Sequence, residues 1–477
     1  MSDLSPLKSF LALSYDELEE RNLAARERRD TVSPEDQEQY YREELEKEKR
    51  IKAVTLCFSD LEGRFHMLDY DKKFLLASAD NLTFDGSSIR GFTAQRESDL
   101  RLQVDWTSFL WLPADLFGAG KVILFANVLN REGQQYESDF RGLLQHYLRD
   151  LQTREGLVAN VSAEVEGIIV DGANAEQRFD EQTGFHLIST GGYFHSLPRD
   201  PLRQFIDASA SVQRAMGFRN EKDHPEVAPA QFEMNFSYTN ALRTADLIQL
   251  YKLVCRQVAN TMGLSATFLP KPIMGINGNG MHTNISLSRE GKNLFYDREG
   301  QENLSQMARD FVSRILNHAQ EICLVLNSSV NAYRRLDPHF EAPNQIQVSP
   351  IDRGSMVRIP VGNERTARIE VRSVAPDANP YLLLYTLFQV GLNGETLPAT
   401  RSSGEVRYLP GTIQESIDLF AGSKLLRNLL GEVNVEKYLS YKQAAADRSP
   451  RNLGTRVKTS EIIYHHEVTN QALWNEF

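Results

Sequence analysis

Cysteine is scarce in these 477 residues: Cys57, Cys255 and Cys323 are the only three. Their spacing fits neither a disulfide framework nor a thiolate metal or redox motif. One falls in a strand-like run and two in helix-like runs, and all three are predicted to be buried, reduced and inert. Basic charge is outnumbered, with 53 Lys and Arg against 64 Asp and Glu, and the net charge of −11 weighs against a nucleic-acid partner, whose footprint is a basic stripe. No apolar run reaches the roughly 18 residues of a membrane span. The first residues also lack the basic, apolar and small-residue order of a secretory signal. The chain therefore reads as a soluble, cytoplasmic protein without a membrane partner. Internal repeats and low-complexity linkers are missing too, while 41% hydrophobic residues suffice for one large core or two ordinary ones.

What the sequence does hold is a set of carboxylates in strand-like text. In Val161-Ser162-Ala163-Glu164-Val165-Glu166-Gly167, period-2 geometry puts Glu164 and Glu166 on one face of an otherwise apolar run. Two like charges on a buried face need a cation. Further groups of the same kind are Glu226 and Glu233 in Glu226-Val227-Ala228-Pro229-Ala230-Gln231-Phe232-Glu233, His282 after Asn277-Gly278-Asn279-Gly280-Met281, and Glu370 in Arg368-Ile369-Glu370-Val371-Arg372. Carboxylates with a single imidazole suit Mg²⁺ or Mn²⁺, whereas zinc sites are richer in His and Cys.

Residues 1–50 are helix-patterned and densely charged, with Ser14-Tyr15-Asp16-Glu17 as a capping start. They read as an exposed packing or assembly arm. Short β-like runs, Val54–Phe58 and Val122–Val128, mark residues 51–150 as a β-rich domain, with a linking helix over 139–152. Residues 151–477 form the remainder: ligand-bearing strands alternate with amphipathic helices at 201–217, 244–263 and 304–327, followed by a helical section from about 412. The expected fold is α+β, a small N-terminal β domain beside a larger catalytic domain whose curved antiparallel sheet is backed by helices.

These segments, with Phe84-Asp85-Gly86-Ser87-Ser88, Gly191-Gly192-Tyr193-Phe194, Pro270-Lys271-Pro272, Asn331-Ala332-Tyr333-Arg334-Arg335-Leu336, Phe340-Glu341-Ala342-Pro343 and Arg358-Ile359-Pro360, together resemble the glutamine synthetase family, class I bacterial and archaeal type. The resemblance runs from about Ile51 to at least Leu392. It implies ATP-dependent ligation of ammonia to the γ-carboxylate of L-glutamate through γ-glutamyl phosphate. It also implies two or more Mg²⁺ or Mn²⁺ ions per site, with ATP as co-substrate. One ion would be held by Glu166, Glu226 and Glu233 and the other by Glu164, His282 and Glu370.

By the same resemblance Arg335 and Arg372 grip glutamate together with Asn277, Gly278, Glu166 and Glu341. Tyr238, Asn284, Ser286, Arg353, Arg358 and Arg365 serve ATP. Planar guanidinium forks suit both jobs, because they pair with carboxylate and phosphate at two points and stay charged. Asp85, Ser88, Tyr193 and Glu226 resemble the ammonium pocket. Asp85 is the base, Arg353 acts on the transferring phosphate, and Glu341 is the flap that excludes water. In the family the Asp85 loop reaches a neighbouring subunit's site, which implies a homo-oligomer, a dodecamer of two hexameric rings.

The chain departs from the family pattern at Ala230 in place of glycine, Phe232 in place of a polar residue, and Asn279 in place of serine. An apolar Phe232 beside the site would suit a small-amine donor, so an ATP-dependent γ-glutamyl-amine ligase is the alternative reading. Retention of Asp85, Ser88 and Tyr193 favours ammonia, and a core-facing Phe232 would remove the argument for the amine. A non-catalytic relative would show decayed ligands, which this sequence does not. Some relatives carry AMP on a tyrosine in Asn-Leu-Tyr-Asp-Leu-Pro; the shortened Val406-Arg407-Tyr408-Leu409-Pro410 argues against that modification here.

Overall fold

Ser14 and Glu17 exchange the reciprocal hydrogen bonds of a capping box and start helix α1 (Tyr15–Thr31) at the expected residue. Ser33 caps α2 (Pro34–Lys47), whose first-turn Pro34 occupies a position where an N–H is dispensable. The structure, a computed structural model, describes residues 9–93, 98–175, 185–273, 275–336, 342–396 and 406–447. They divide into two compact units.

The first unit comprises the described residues of Met1–Asp60, Phe65–Gly142 and Ala208–Asn220. Its elements after α2 are β1 (Ala53–Ser59), β2 (Phe65–Asp71), α3 (Lys72–Ser78), β3 (Leu82–Asp85), β4 (Asp99–Trp111), α4 (Ala114–Phe117) and β5 (Lys121–Leu129). The sheet runs β2-β1-β5-β4-β3, with β1 and β5 parallel. Val54, Leu56, Val122 and Leu124 build a core against Leu18 and Ala25 of α1 and Tyr41 and Leu45 of α2.

Helices α1 and α2, which carry most of the charge of residues 9–50, thus pack their apolar faces onto this sheet. Part of their buried face is polar. Asn22 donates to the carbonyls of Trp111 and Ala215 and accepts from the Trp111 N–H, which satisfies its amide in the interior.

The second unit comprises the described residues of Leu61–Arg64, Leu143–Asp207 and Glu221–Phe477. Helix α5 (Phe140–Glu155) leads into β6 (Leu157–Asp171), then α6 (Pro201–Ala215), β7 (Asn220–Pro225), β8 (Gln231–Phe236), β9 (Thr239–Asn240), α7 (Ala241–Thr261) and β10 (Leu264–Thr267). There follow β11 (Met281–Arg289), β12 (Lys292–Asn293), α8 (Gln306–Asn317), α9 (Ala319–Leu326), α10 (Val330–Arg335), β13 (Gln345–Ser349), β14 (Ser355–Arg358) and β15 (Ile369–Val371). The chain continues through α11 (Pro380–Asn393), α12 (Ile413–Gly422), α13 (Lys424–Leu430) and α14 (Glu432–Asp447).

The sheet order is β13-β14-β15-β11-β6-β8-β7, and only β13 and β14 depart from the expected antiparallel pattern among its described ladders, pairing parallel. Helix α7 is fastened to β6 by Thr244 Oγ1 and Tyr251 Oη, which donate to the carbonyls of Val161 and Val165. That fixes the strand carrying the glutamate pair. The helix expected over 304–327 is broken at His318, which ends α8 and precedes α9. All three cysteines are buried thiols outside any disulfide, and burial pushes Cys255 and Cys323 up, which keeps them protonated and inert.

Candidate active site

Strand register brings the dispersed acids together. Glu164 on β6 lies opposite His282 on β11, Glu370 on β15 lies opposite Asn284 on β11, and Glu166 on β6 lies opposite Glu233 on β8. Residues two to five strands apart in sequence become neighbours on one sheet.

Glu164, His282 and Glu370 form a first cluster whose ligating atoms all lie within 4.8 Å of one another. His282 Nδ1 is 3.4 Å from Glu164 Oε2 and 3.7 Å from Glu370 Oε1. Asn284 Nδ2 donates to Glu164 Oε1 at 3.0 Å. Arg372 and Arg358 each donate to a different oxygen of the buried Glu370, at 2.6 and 2.9 Å. Burial alone would push Glu164 up, but His282, Asn284 and Arg372 bring it down to about 2.

A second cluster joins Glu226 and Glu233 with His224, a residue the sequence reading missed. Its electrostatics are the reverse of the first. Burial, then the charge of Glu166, raises Glu226 to about 7 and Glu233 well above the usual carboxylate range. Carboxylates pushed up by one another lack a counter-charge, and an oxygen-rich set of this kind fits a hard divalent cation.

Glu166 borders this cluster, with Oε2 accepting from the Gly280 N–H at 2.7 Å and from Gln231 Nε2 at 3.2 Å. The same Gln231 nitrogen reaches the Gly278 carbonyl and Asn279 Oδ1, both at 3.0 Å, while Asn279 Nδ2 donates to the Leu269 carbonyl. Gln231 and Asn279 therefore hold the glycine turn against Glu166. A Cβ at Gly278 would lie 2.4 Å from the Pro270 carbonyl oxygen, so the turn needs glycine for close approach. Gln231 also escaped the sequence reading, although it stands two residues before Glu233 and so on the same strand face.

Arg335 is buried, and burial lowers its guanidinium to about 10 with Glu166 opposing the shift, so it stays charged at neutral pH. Its Nη2 donates to the Arg372 carbonyl, while Arg335 Nη1 and Arg372 Nε are buried without a hydrogen-bond partner among the described residues. Unused buried guanidinium donors beside Glu166 and Glu370 fit an incoming carboxylate. Tyr193 stacks on Phe194 and lies near enough to Glu226 and Arg353 to feel their charges.

Arg368 Nε donates to Asn284 Oδ1 at 2.9 Å. Ser286 is half-buried on β11; Tyr238, Arg353 and Arg365 are exposed, and Asn277 is half-buried. Asp85 and Ser88 stand in the first unit, where Ser87 N–H and Oγ and Ser88 Oγ all donate to the Asp85 carboxylate and hold it below its usual range. Glu341 lies outside the described residues.

Phe232 is fully buried, edge-on to Phe205 at 4.8 Å and to Phe268 at 5.9 Å. It faces the core, as its phase against Gln231 and Glu233 allows, and supplies no apolar wall to a substrate. Ala230 adopts φ +59°, a left-handed conformation that favours glycine. Ala230→Gly is expected to stabilise the protein by roughly 0.5–1 kcal/mol, because released strain outweighs one lost methyl. A lower urea midpoint in that variant would contradict this.

The second cluster also sets a pH dependence. Glu226 titrates near 7 in the fold against 4.5 ordinarily, so between those values the folded state holds more protons than the unfolded. Stability of the metal-free protein should therefore fall as pH rises through that window. Added Mn²⁺ should raise the melting temperature most at its upper end, as thermal scans across pH would show.

Two family models match: the glutamine synthetase beta-Grasp domain over residues 50–131 and the glutamine synthetase catalytic domain over residues 137–455. The chain is 35% identical over 426 residues to glutamine synthetase of Thermus thermophilus, covering 84% of this chain and 93% of that one. It is 32% identical over 432 residues to glutamine synthetase of Thermotoga maritima, covering 87% and 96%. Among solved structures, Plasmodium falciparum glutamine synthetase shares the fold, with a TM-score of 0.77 at 19% identity over 95% of this chain and 99% of that one. Ligand-free GmaS gives 0.74 at 25% identity over 88% and 98%.

Proposed function

The chain belongs to the glutamine synthetase family, and from that premise we propose that it joins ammonia to the γ-carboxylate of L-glutamate, driven by ATP through γ-glutamyl phosphate, with release of ADP and phosphate. The observation that carries the reading is the pair of three-ligand clusters on neighbouring strands, flanked by arginines with unused donors.

Glu164, His282 and Glu370 would hold one divalent ion, Mg²⁺ or Mn²⁺, and Glu166, Glu226 and Glu233 another. When bound, such ions neutralise the transferring phosphate and the carboxylate that attacks it. Arg335 and Arg372, with the Asn277-Gly278 turn, bind and orient glutamate. Arg353, Arg358 and Arg365 compensate the phosphates of ATP, while Asn284, Ser286 and Tyr238 line the nucleotide. Asp85, Ser88, Tyr193 and Glu226 bind ammonium, and Asp85 takes the proton that frees the attacking lone pair. Glu341 is assigned the closing flap by resemblance.

Core burial of Phe232 withdraws the one argument for a small-amine donor, and the curated relatives named above are glutamine synthetases. The ligands and arginines are all kept, which speaks against a non-catalytic role. No helix among the described residues is long and apolar enough to cross a membrane. A cytoplasmic location and a dodecamer of two rings, with the Asp85 loop completing a neighbour's site, belong to the same proposal.

Labelled oxygen in the glutamate γ-carboxylate tests the intermediate. Transfer of one labelled atom to the released phosphate is expected; unlabelled phosphate would exclude γ-glutamyl phosphate.

A further inference from the structure

We propose that His224 Nε2 is a ligand of the ion held by Glu226 and Glu233, so that each of the two ion positions contains one imidazole. This deepens the two-ion site proposed above and rests on it.

His224 Nδ1 lies 3.1 Å from the Pro225 carbonyl oxygen. A carbonyl only accepts, so Nδ1 carries the hydrogen and Nε2 of the neutral ring presents its lone pair. That lone pair lies 3.7 Å from Glu233 Oε1, and Nε2 makes no hydrogen bond among the described residues. On the other side, Nδ1 is 3.6 Å from Glu226 Oε1. The ring is buried and held edge-on by Phe194 at 4.8 Å and Tyr193 at 5.8 Å. Its orientation is therefore set by packing and by the Pro225 bond, the arrangement that fixes the tautomer of metal-binding histidines.

His224, Glu226 and Glu233 each offer one ligating atom within 4.8 Å of the others, a spacing that a single cation can span. Glu166 commits Oε2 to Gly280 and Gln231, which limits its share in the same coordination shell. A nitrogen in the shell shifts preference from Mg²⁺ toward Mn²⁺, because imidazole favours the transition ion.

The test is Mn²⁺ titration of the full-length protein without nucleotide, read by electron paramagnetic resonance, with Mg²⁺ titrated by calorimetry in parallel. The wild type is expected to show two Mn²⁺ classes, each with nitrogen coupling in pulsed spectra. His224→Phe keeps the ring packing and removes the ligand. It is expected to weaken one Mn²⁺ class about 10–100-fold and to abolish its nitrogen coupling, while changing Mg²⁺ binding by less than about threefold. Unchanged Mn²⁺ affinities in that variant would overturn the proposal. So would a single nitrogen-coupled class in the wild type, which needs no variant to fold. Absence of any Mn²⁺ binding by the wild type would overturn the two-ion site as well, and so separates the two failures.

Discussion

Glu370→Ala is expected to lower turnover at least about 10³-fold, because one change removes a proposed metal ligand and the carboxylate that anchors two arginines proposed to bind glutamate and ATP. Glu370 is buried and accepts from Arg372 on one oxygen and Arg358 on the other. Without it, the Arg372 guanidinium loses the carboxylate it is hydrogen-bonded to and keeps only the nearby charge of Glu164, a change that costs about 3–5 kcal/mol of stability. Glu370→Gln separates the two effects, since it keeps the volume and one acceptor oxygen but loses the charge. It should fold, bind Mn²⁺ weakly at the first cluster and turn over as poorly as the alanine variant. Near-normal kcat in a folded Glu370→Gln protein would show that Glu370 holds no essential ion.

Asp85→Ala should lower ammonium use by about 10²–10⁴-fold, the usual yield of a positioned base, while ATP binding is spared. The three donors from Ser87 and Ser88 hold this carboxylate below its ordinary range, so it is an anion at neutral pH, the charge that the proposed ammonium pocket requires. If the Asp85 loop serves a neighbouring subunit, mixing should rescue activity. In oligomers assembled from equal parts of Asp85→Ala and Glu370→Gln chains, about a quarter of sites would pair two intact halves across a head-to-tail interface. Activity returning to that level supports the shared site. No recovery after verified exchange of subunits would place Asp85 in its own chain's site or outside catalysis.

The gathering of the acids on one sheet was legible because strands write their faces in period 2. Glu164 with Glu166, and His282 with Asn284, share a face by that rule, and the register of β6 with β11 then sets them opposite one another. The same rule could have found His224 and Gln231, which stand two residues before Glu226 and Glu233. They escaped because a histidine beside a proline and a glutamine beside a phenylalanine carry no charge signal. The packing of α1 was not legible, since Asn22 is buried through hydrogen bonds rather than apolarity. Likewise, only the fold shows that Lys442 in α14 is buried in an ion pair at 2.8 Å with Glu62, 380 residues earlier. Long-range polar pairing leaves no local pattern to read.

Phosphate release from ATP and L-glutamate with Mg²⁺ or Mn²⁺, comparing ammonium with a panel of small amines, tests the central claim most directly. Saturable release with ammonium as the best nitrogen donor is the expected result; preference for an amine, with ammonium inactive, would contradict it.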